Sequence, residues 1–199
     1  MLIAVEGCVG VGKSTVAKNL AAYRKSKTLL ESFEENPFLK AFYEDPVGNA
    51  TETEFAFVLL HFHQLKEHAA EIEKREIVAD FHLGKDLIYA ALNLHNAKTL
   101  RIFRELHDDL AAQVAAPALM ICLSASLELL LDRIRHRNRG FELKIDPGYY
   151  AGINAAYENF FRTYKGRKLR ISMDEWDFVQ KPTLCEKLSS LVNAELRNV

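Results

Sequence analysis

The chain has 199 residues, 49% hydrophobic and 27% charged, with 26 lysines and arginines against 27 aspartates and glutamates and a formal net charge of -1. That is enough for one well-buried domain, read here as a single unit over 1–199, and too little for two of ordinary size. So even a charge balance excludes the broad basic field of a nucleic-acid or membrane-surface binder, so the expected partners are small molecules, with no nucleic acid and no membrane among them.

The first element is a strand at "LIAVE" (2–6). It runs into "GCVGVGKS" (7–14), which fits G-x-x-x-x-G-K-[ST], and then into the helix-compatible "KSTVAKNLAAY". Strand, glycine-rich loop and helix in that order are the context a phosphate-binding P-loop needs. Gly7, Gly10 and Gly12 let the backbone N–H groups of Cys8, Val9, Val11 and their neighbours through Thr15 wrap a phosphate chain, Lys13 reaches the terminal phosphates and Ser14 can ligate Mg²⁺. Cys8 reads as a small filler of the loop, with a thiol activated by the helix end as the other option. Cys8, Cys122 and Cys185 are widely spaced and form no CxxC or Cys/His metal pattern, so they read as reduced thiols and no zinc site is expected. The N-terminal "MLIAVEGCVG" carries no basic leader, and no run approaches the ~18 apolar residues of a membrane span, which places the protein in the cytoplasm.

Further strands follow at "TLLE" (28–31), "EIVAD" (76–80), "ALMICLS" (118–124) and "LRISM" (169–173), separated by stretches with helical periodicity, the longest being "TETEFAFVLLHFHQLKEHAAEIEK" (51–74). This alternation predicts an α/β fold, a five-stranded parallel sheet with helices on both faces. The first, third and fourth runs are apolar on both alternating faces, as strands covered on both sides are. In such a sheet ligands bind beyond the carboxyl ends of the strands, which singles out Glu31 and Asp80. Glu31 is either a proton acceptor beside the P-loop strand or a solvated strand end, and Asp80 is placed to help Ser14 hold Mg²⁺.

"RIRHRNRGFE" (133–142) gathers Arg133, Arg135, Arg137 and Arg139 in seven residues. Arg133 and Arg137 share one face of a helix that begins near Ser126, Arg135 points elsewhere, and "NRG" ends the helix.

Four segments, "ESFEENPFLKAFYEDP" (31–46), "IVADFHLGKDLIYA" (77–90), "RIRHRNRGFE" (133–142) and "MDEWDF" (173–178), follow the P-loop in an order that resembles the deoxyribonucleoside kinase family, its bacterial deoxyadenosine and deoxyguanosine kinases above all. The resemblance implies a P-loop kinase that phosphorylates the 5′-hydroxyl of a deoxyribonucleoside for salvage, with Mg²⁺ and with ATP as donor. It implies Glu31 as the base, Tyr43 and Glu142 on the sugar 3′-hydroxyl, the Tyr43 ring in the space of a ribose 2′-hydroxyl, an arginine lid over about 133–142 in which Arg133, Arg137 and Arg139 meet the donor phosphates, and Asp177 and Phe178 beside the donor's adenine. It also implies a homodimer packed through the helices after Thr51 and Ala97.

Three positions depart from the family. Where the family carries a base-pairing glutamine and, seven residues on, an arginine, this chain has Glu54 and His61. A carboxylate only accepts hydrogen bonds, and guanine offers two adjacent donors, so Glu54 points to deoxyguanosine, unless Glu52 faces the base instead. His61 either stands in for the arginine or packs in the core. After the third strand, Ala79-Asp80-Phe81 replaces acid-Arg-Ser, so the arginine is lost or its charge comes from Lys85 or His82. Asn138 stands where the family has glycine, which predicts a stiffer turn. The competing readings are a nucleoside monophosphate kinase of the thymidylate kinase type, against which the acidic 31–38 segment speaks, and a P-loop regulatory module without a small acceptor.

Overall fold

The structure is a computed structural model, and it describes residues 1–176, 178 and 183–197. Asp177, expected at the donor base, lies outside the described residues. Strand β1 (Leu2–Gly7) leads through the P-loop into α1 (Lys13–Arg24), and β2 (Lys27–Leu29) follows. Next come α2 (Leu39–Glu44), α3 (Pro46–Glu67), α4 (Ala69–Lys74) and β3 (Ile77–Ala79). Helices α5 (Gly84–Asn93) and α6 (Ala97–Ala111) precede β4 (Leu119–Ser124), α7 (Leu127–Arg137), α8 (Pro147–Thr163), β5 (Lys168–Ser172) and α9 (Leu184–Arg197).

The helix ends follow local chemistry. Asp45 and Asp146 each accept a backbone N–H two or three residues on, at Gly48 and Gly148, and each is followed by proline at the first helical position. The stretch over 51–74 is two helices rather than one, broken at His68, whose backbone leaves the helical region.

All strands pair in parallel in the order β2-β3-β1-β4-β5. The three runs that are apolar on both alternating faces are the three inner strands: every residue of β1 and β3 is buried, as are the first five of β4. Alternate residues of β1 enter two separate cores, Ile3 and Val5 one and Leu2 the other, so helices cover both faces. The order corrects one expectation. Strand β2, which leads to Glu31, is the sheet edge, and β3 lies between it and β1.

Glu6, buried in β1, ties the site's supports together. It accepts the His82 N–H at 2.6 Å and the Tyr157 hydroxyl at 3.1 Å, joining the turn after β3 and helix α8 to the P-loop strand. Burial pushes its carboxyl up to about 7, against the pull of Lys85 and Lys13.

The P-loop needs two left-handed glycines, Gly10 at φ 83° and Gly12 at φ 104°. A Cβ at Gly10 would stand 2.9 Å from Ile134 Cγ1 and 3.0 Å from the Leu130 carbonyl oxygen, both on α7. Gly10→Ala is therefore expected to destabilise the fold by ~1–3 kcal/mol in urea unfolding. An unchanged midpoint would show that loop and α7 do not pack as described.

Candidate functional site

A cavity of about 810 Å³ opens beyond the carboxyl ends of the strands, where an open parallel sheet binds its ligands. The P-loop forms one wall through Val9, Gly10, Gly12, Lys13, Ser14 and Thr15. Lys13 Nζ lies across the loop, donating to the Gly7 carbonyl at 2.8 Å and the Cys8 carbonyl at 3.4 Å. Burial, and then the charge of Lys85, lower its pKa. Arg133 donates to the Val11 carbonyl at 2.7 Å. The side chains of Cys8 and Val11 turn away into the core. Burial pushes the Cys8 thiol up to about 12, so it is a packed filler and the option of an activated thiol is withdrawn.

Ser14 Oγ donates to Asp80 Oδ2, and Asp80 Oδ1 accepts the Glu31 backbone N–H at 2.7 Å. Asp80 thus joins the P-loop to the segment after β2, and Glu31 reaches the site although its strand is at the edge. A hydroxyl and a carboxylate oxygen side by side are hard donors of the kind Mg²⁺ takes, so the pair fits that ion. Among the described residues no cluster of three or more His, Cys, Asp or Glu could hold a metal, and none is needed for an ion that keeps most of its waters.

Glu31 is no solvated strand end. Lys85 Nζ meets its Oε1 at 2.6 Å and His61 Nε2 at 3.1 Å. Burial alone would raise its carboxyl, yet the charge of Lys85, with the hydrogen bond and charge of His61, holds it well below the usual carboxylate range. Lys85, raised by the same attraction against its burial, is the cation that meets Glu31 after β3. His82 is not: burial drives its imidazole down to about 4, so it is neutral, and its Nδ1 accepts the Gly84 N–H.

His61 lies behind Glu31. Its Nδ1 donates to Asp86 at 2.8 Å and its Nε2 to Glu31, while its ring packs on Phe57 and Phe81 with centroids 5.6 and 5.1 Å away. Burial would lower its pKa, but Asp86 and then Glu31 push it up to about 9, so it is an imidazolium near neutrality. With both nitrogens engaged and no place in the cavity wall, it does not stand in for the base-side arginine.

Tyr43 and Glu142, expected at the sugar, both line the cavity. The Tyr43 ring sits 4.6 Å from that of Phe141, and the Tyr150 hydroxyl donates to the Glu142 carbonyl at 2.8 Å. The lid helix α7 is capped by the Ser126 side chain and ends on Asn138 in the left-handed region, φ 51°, the conformation a glycine would take at no cost. Arg135 is exposed, as expected, and Arg133 and Arg137 face the cavity. Their contacts differ from expectation in one respect. Arg137 donates twice to Glu142 Oε2, from Nε at 3.1 Å, while Arg139 is 3.5 Å from Oε1 and lies over the Phe33 ring at 4.4 Å. Only Arg133 of the three touches the P-loop.

Farther along the wall Glu54 is buried and Glu52 exposed, so Glu54 is the acid that faces the cavity. Its Oε1 accepts from Asn93 Nδ2 at 2.7 Å. Asp86, Asn93 and Tyr149 also line the cavity and were not singled out from the sequence. Asp86 and Asn93 are seven apart on one face of α5, and their only sequence signal is that they interrupt the apolar "GKDLIYAALN". Phe178 is buried against Trp176 and lines the cavity. Among the described residues no helix is long and apolar enough to cross a membrane.

Comparison with known proteins agrees with this geometry. A family model described as deoxynucleoside kinase matches residues 3–197. A deoxyguanosine kinase of Bacillus subtilis (strain 168) is 28% identical over 197 residues, covering 96% of this chain and 95% of its own length. A deoxyadenosine kinase of Lactobacillus acidophilus is 25% identical over 215 residues, covering 100% and 97%. The structure of deoxyadenosine kinase from M. mycoides with the products dCMP and a flexible dCDP superposes with a TM-score of 0.85 at 25% identity, over 98% of this chain and 100% of that one. P-loop, sheet order, convergent site and a match that spans nearly every residue have one reading: the chain belongs to the deoxynucleoside kinase family and is a phosphotransferase.

Proposed function

We propose that the protein transfers the terminal phosphoryl group of Mg-ATP to the 5′-hydroxyl of a deoxyribonucleoside, with deoxyguanosine preferred and deoxyinosine close behind. The observation that carries this reading is the single cavity that Lys13, Ser14 and Arg133 share with Glu31, Tyr43, Glu54 and Glu142.

Glu31 receives the 5′-hydroxyl. The acceptor oxygen attacks the terminal phosphorus, the bond to the bridging oxygen breaks to release ADP, and the hydroxyl proton passes to Glu31. A carboxylate held so far below its usual range is a weak proton acceptor. A loose phosphoryl-transfer transition state asks mostly for orientation of the nucleophile and takes its proton late, so strong pairing costs little. Lys13 and the P-loop amides hold the transferring phosphate, and Arg137 and Arg139 join Arg133 there when the donor's phosphates draw them from Glu142. Charge stabilisation of that kind is worth ~10³ to 10⁵ in rate. Mg²⁺, held by Ser14 and Asp80, would neutralise charge on the donor phosphates.

Glu142, once freed, and Tyr43 hold the 3′-hydroxyl. The Tyr43 ring, wedged against Phe141, leaves no room for a 2′-hydroxyl. Glu54 accepts from the guanine N1–H and N2–H, which suits it better than a base with a donor beside an acceptor. Lys85 is spent on the Glu31 carboxylate and Arg137 is engaged first by Glu142 and then by the donor, which favours a nucleoside over a monophosphate as acceptor. The reading extends to a cytoplasmic salvage enzyme and to a homodimer packed through α3 and α6, whose outer faces carry the exposed Leu59 and Ile102.

A coupled assay over the four deoxynucleosides, their ribose counterparts and their monophosphates is expected to show little ATP turnover alone, highest kcat/KM with deoxyguanosine, and roughly 10- to 100-fold less with guanosine. Reaction with monophosphates only would sink the reading. Removal of the Lys85 charge tests the pairing separately. Because that charge lowers Glu31, Lys85→Gln should move the acid limb of the kcat/KM profile to higher pH, as the carboxyl rises toward its ordinary range. An acid limb in the same place, with the variant still active, would show that Lys85 does not set the ionisation of Glu31.

A further inference from the structure

Among the described residues, the only buried side-chain nitrogen or oxygen without a hydrogen-bond partner is Glu54 Oε2. Buried polar atoms are satisfied almost everywhere in proteins, so an exception in a cavity wall points to what the ligand brings. Glu54 Oε1 has one donor, Asn93, and no cation touches the carboxylate. As an anion it is short of donors, and as an acid it is short of an acceptor for its O–H. The protein completes neither state.

The two states complement different purine edges. A carboxylate offers Oε2 and the free lone pair of Oε1 to two adjacent N–H donors, the pattern of guanine. A carboxylic acid offers one donor and one acceptor, the pattern that adenine meets with N1 and its N6 amino group. We propose that Glu54 reads the purine by its protonation state, binding guanine as the carboxylate and adenine as the acid, so that one pocket takes both deoxynucleosides and pH sets the choice between them. The inference rests on Glu54 facing the base under the kinase reading above.

The surroundings leave the proton free to follow the ligand. The groups around Glu54 are Asn93, Asp86 and Lys85 of α5, His61 of its own helix and Tyr149 of α8, while α6 faces α3 with Phe103 against Phe55. Burial pushes the Glu54 carboxyl up to about 8; the Asn93 donor opposes this, Asp86 adds to it, and Lys85 and His61 are weaker opposing charges. Raised above its ordinary value, the group is mostly the acid below about pH 8 and mostly the anion above it. Guanine must then expel a proton at neutrality, a cost its two N–H donors must outweigh for deoxyguanosine to be preferred there, and adenine must take one up at alkaline pH.

Calorimetric titration of the purified protein with deoxyguanosine and deoxyadenosine between about pH 6 and 8.5, where neither base titrates, decides the matter independently of turnover. One bound proton separates the two complexes, so the ratio of the two affinities should rise in favour of deoxyguanosine by about tenfold per pH unit. Groups common to both complexes, His61 and Glu31 included, cancel in that ratio. Titrations repeated in buffers of different ionisation enthalpy should show proton release with deoxyguanosine and uptake with deoxyadenosine. Glu54→Gln should bind both, favour deoxyadenosine and give a flat ratio. A flat ratio in the unaltered protein, the same slope in Glu54→Gln, or failure of deoxyadenosine to bind at any pH would overturn the inference. Binding of both with the expected slope but no phosphorylation of either would instead fault the kinase reading and leave the proton-dependent choice standing.

Discussion

A carboxylate almost stripped of water keeps its charge only where a cation meets it, and Lys85 meets Glu31 at 2.6 Å. Lys85 is buried and Glu31 is partly so, its side chain 14% exposed in the cavity wall, so breaking the pair by removing one partner costs more than it would for an exposed pair. The rest of the site is arranged around that contact. The Glu31 backbone N–H is fixed to Asp80, Asp80 to Ser14 of the P-loop, and the Glu31 side chain to His61, which Asp86 holds from behind. The P-loop and the Glu31 side of the cavity are thereby one connected framework, in which the distance between phosphate loop and Glu31 does not depend on a flexible strand end.

The positive charge in this framework comes from a helix rather than from the strand end. Phe81 packs on the His61 ring after β3, and the cation that meets Glu31 arrives from the first turn of α5. A lysine is a point charge without the planar fork of arginine, so it meets one oxygen, Oε1, which His61 shares, and Oε2 is free of both. The same economy governs the lid. Arg137 and Arg139 are held by Glu142, a residue of the acceptor side, and Arg139 also covers Phe33 in the segment after Glu31. Under the proposed function, sugar and donor phosphates would compete for the same ion pairs, which would couple acceptor binding to lid position.

Much of this was legible in the chain because it is local. The P-loop announces itself by spacing, the three inner strands by apolar residues on both alternating faces, and Glu31, Tyr43, Glu54 and Glu142 by their places in recognisable segments. Strand order was not legible: β2 at the edge follows from pairing across fifty residues, which no periodicity records. Nor was the choice of Lys85 over His82, since the two are three residues apart and differ only in where the first turn of α5 aims them. His61 fell between its two readings, packed in the core and yet charged, because its partners Glu31 and Asp86 come from other elements. Asp86 and Asn93 were missed because polar residues on one face of an apolar helix look like any other interruption until α3 is packed against them.

The claim on which the account rests is that Glu31, held ionised by Lys85, receives the acceptor hydroxyl. Single-turnover phosphoryl transfer to deoxyguanosine by Glu31→Gln measures it most directly, because the amide keeps the size of the side chain and its oxygen can still accept from Lys85. The account predicts a loss of ~10² to 10⁴ in the transfer rate with KM little changed. A variant that transfers phosphate within a few-fold of the unaltered protein would contradict it.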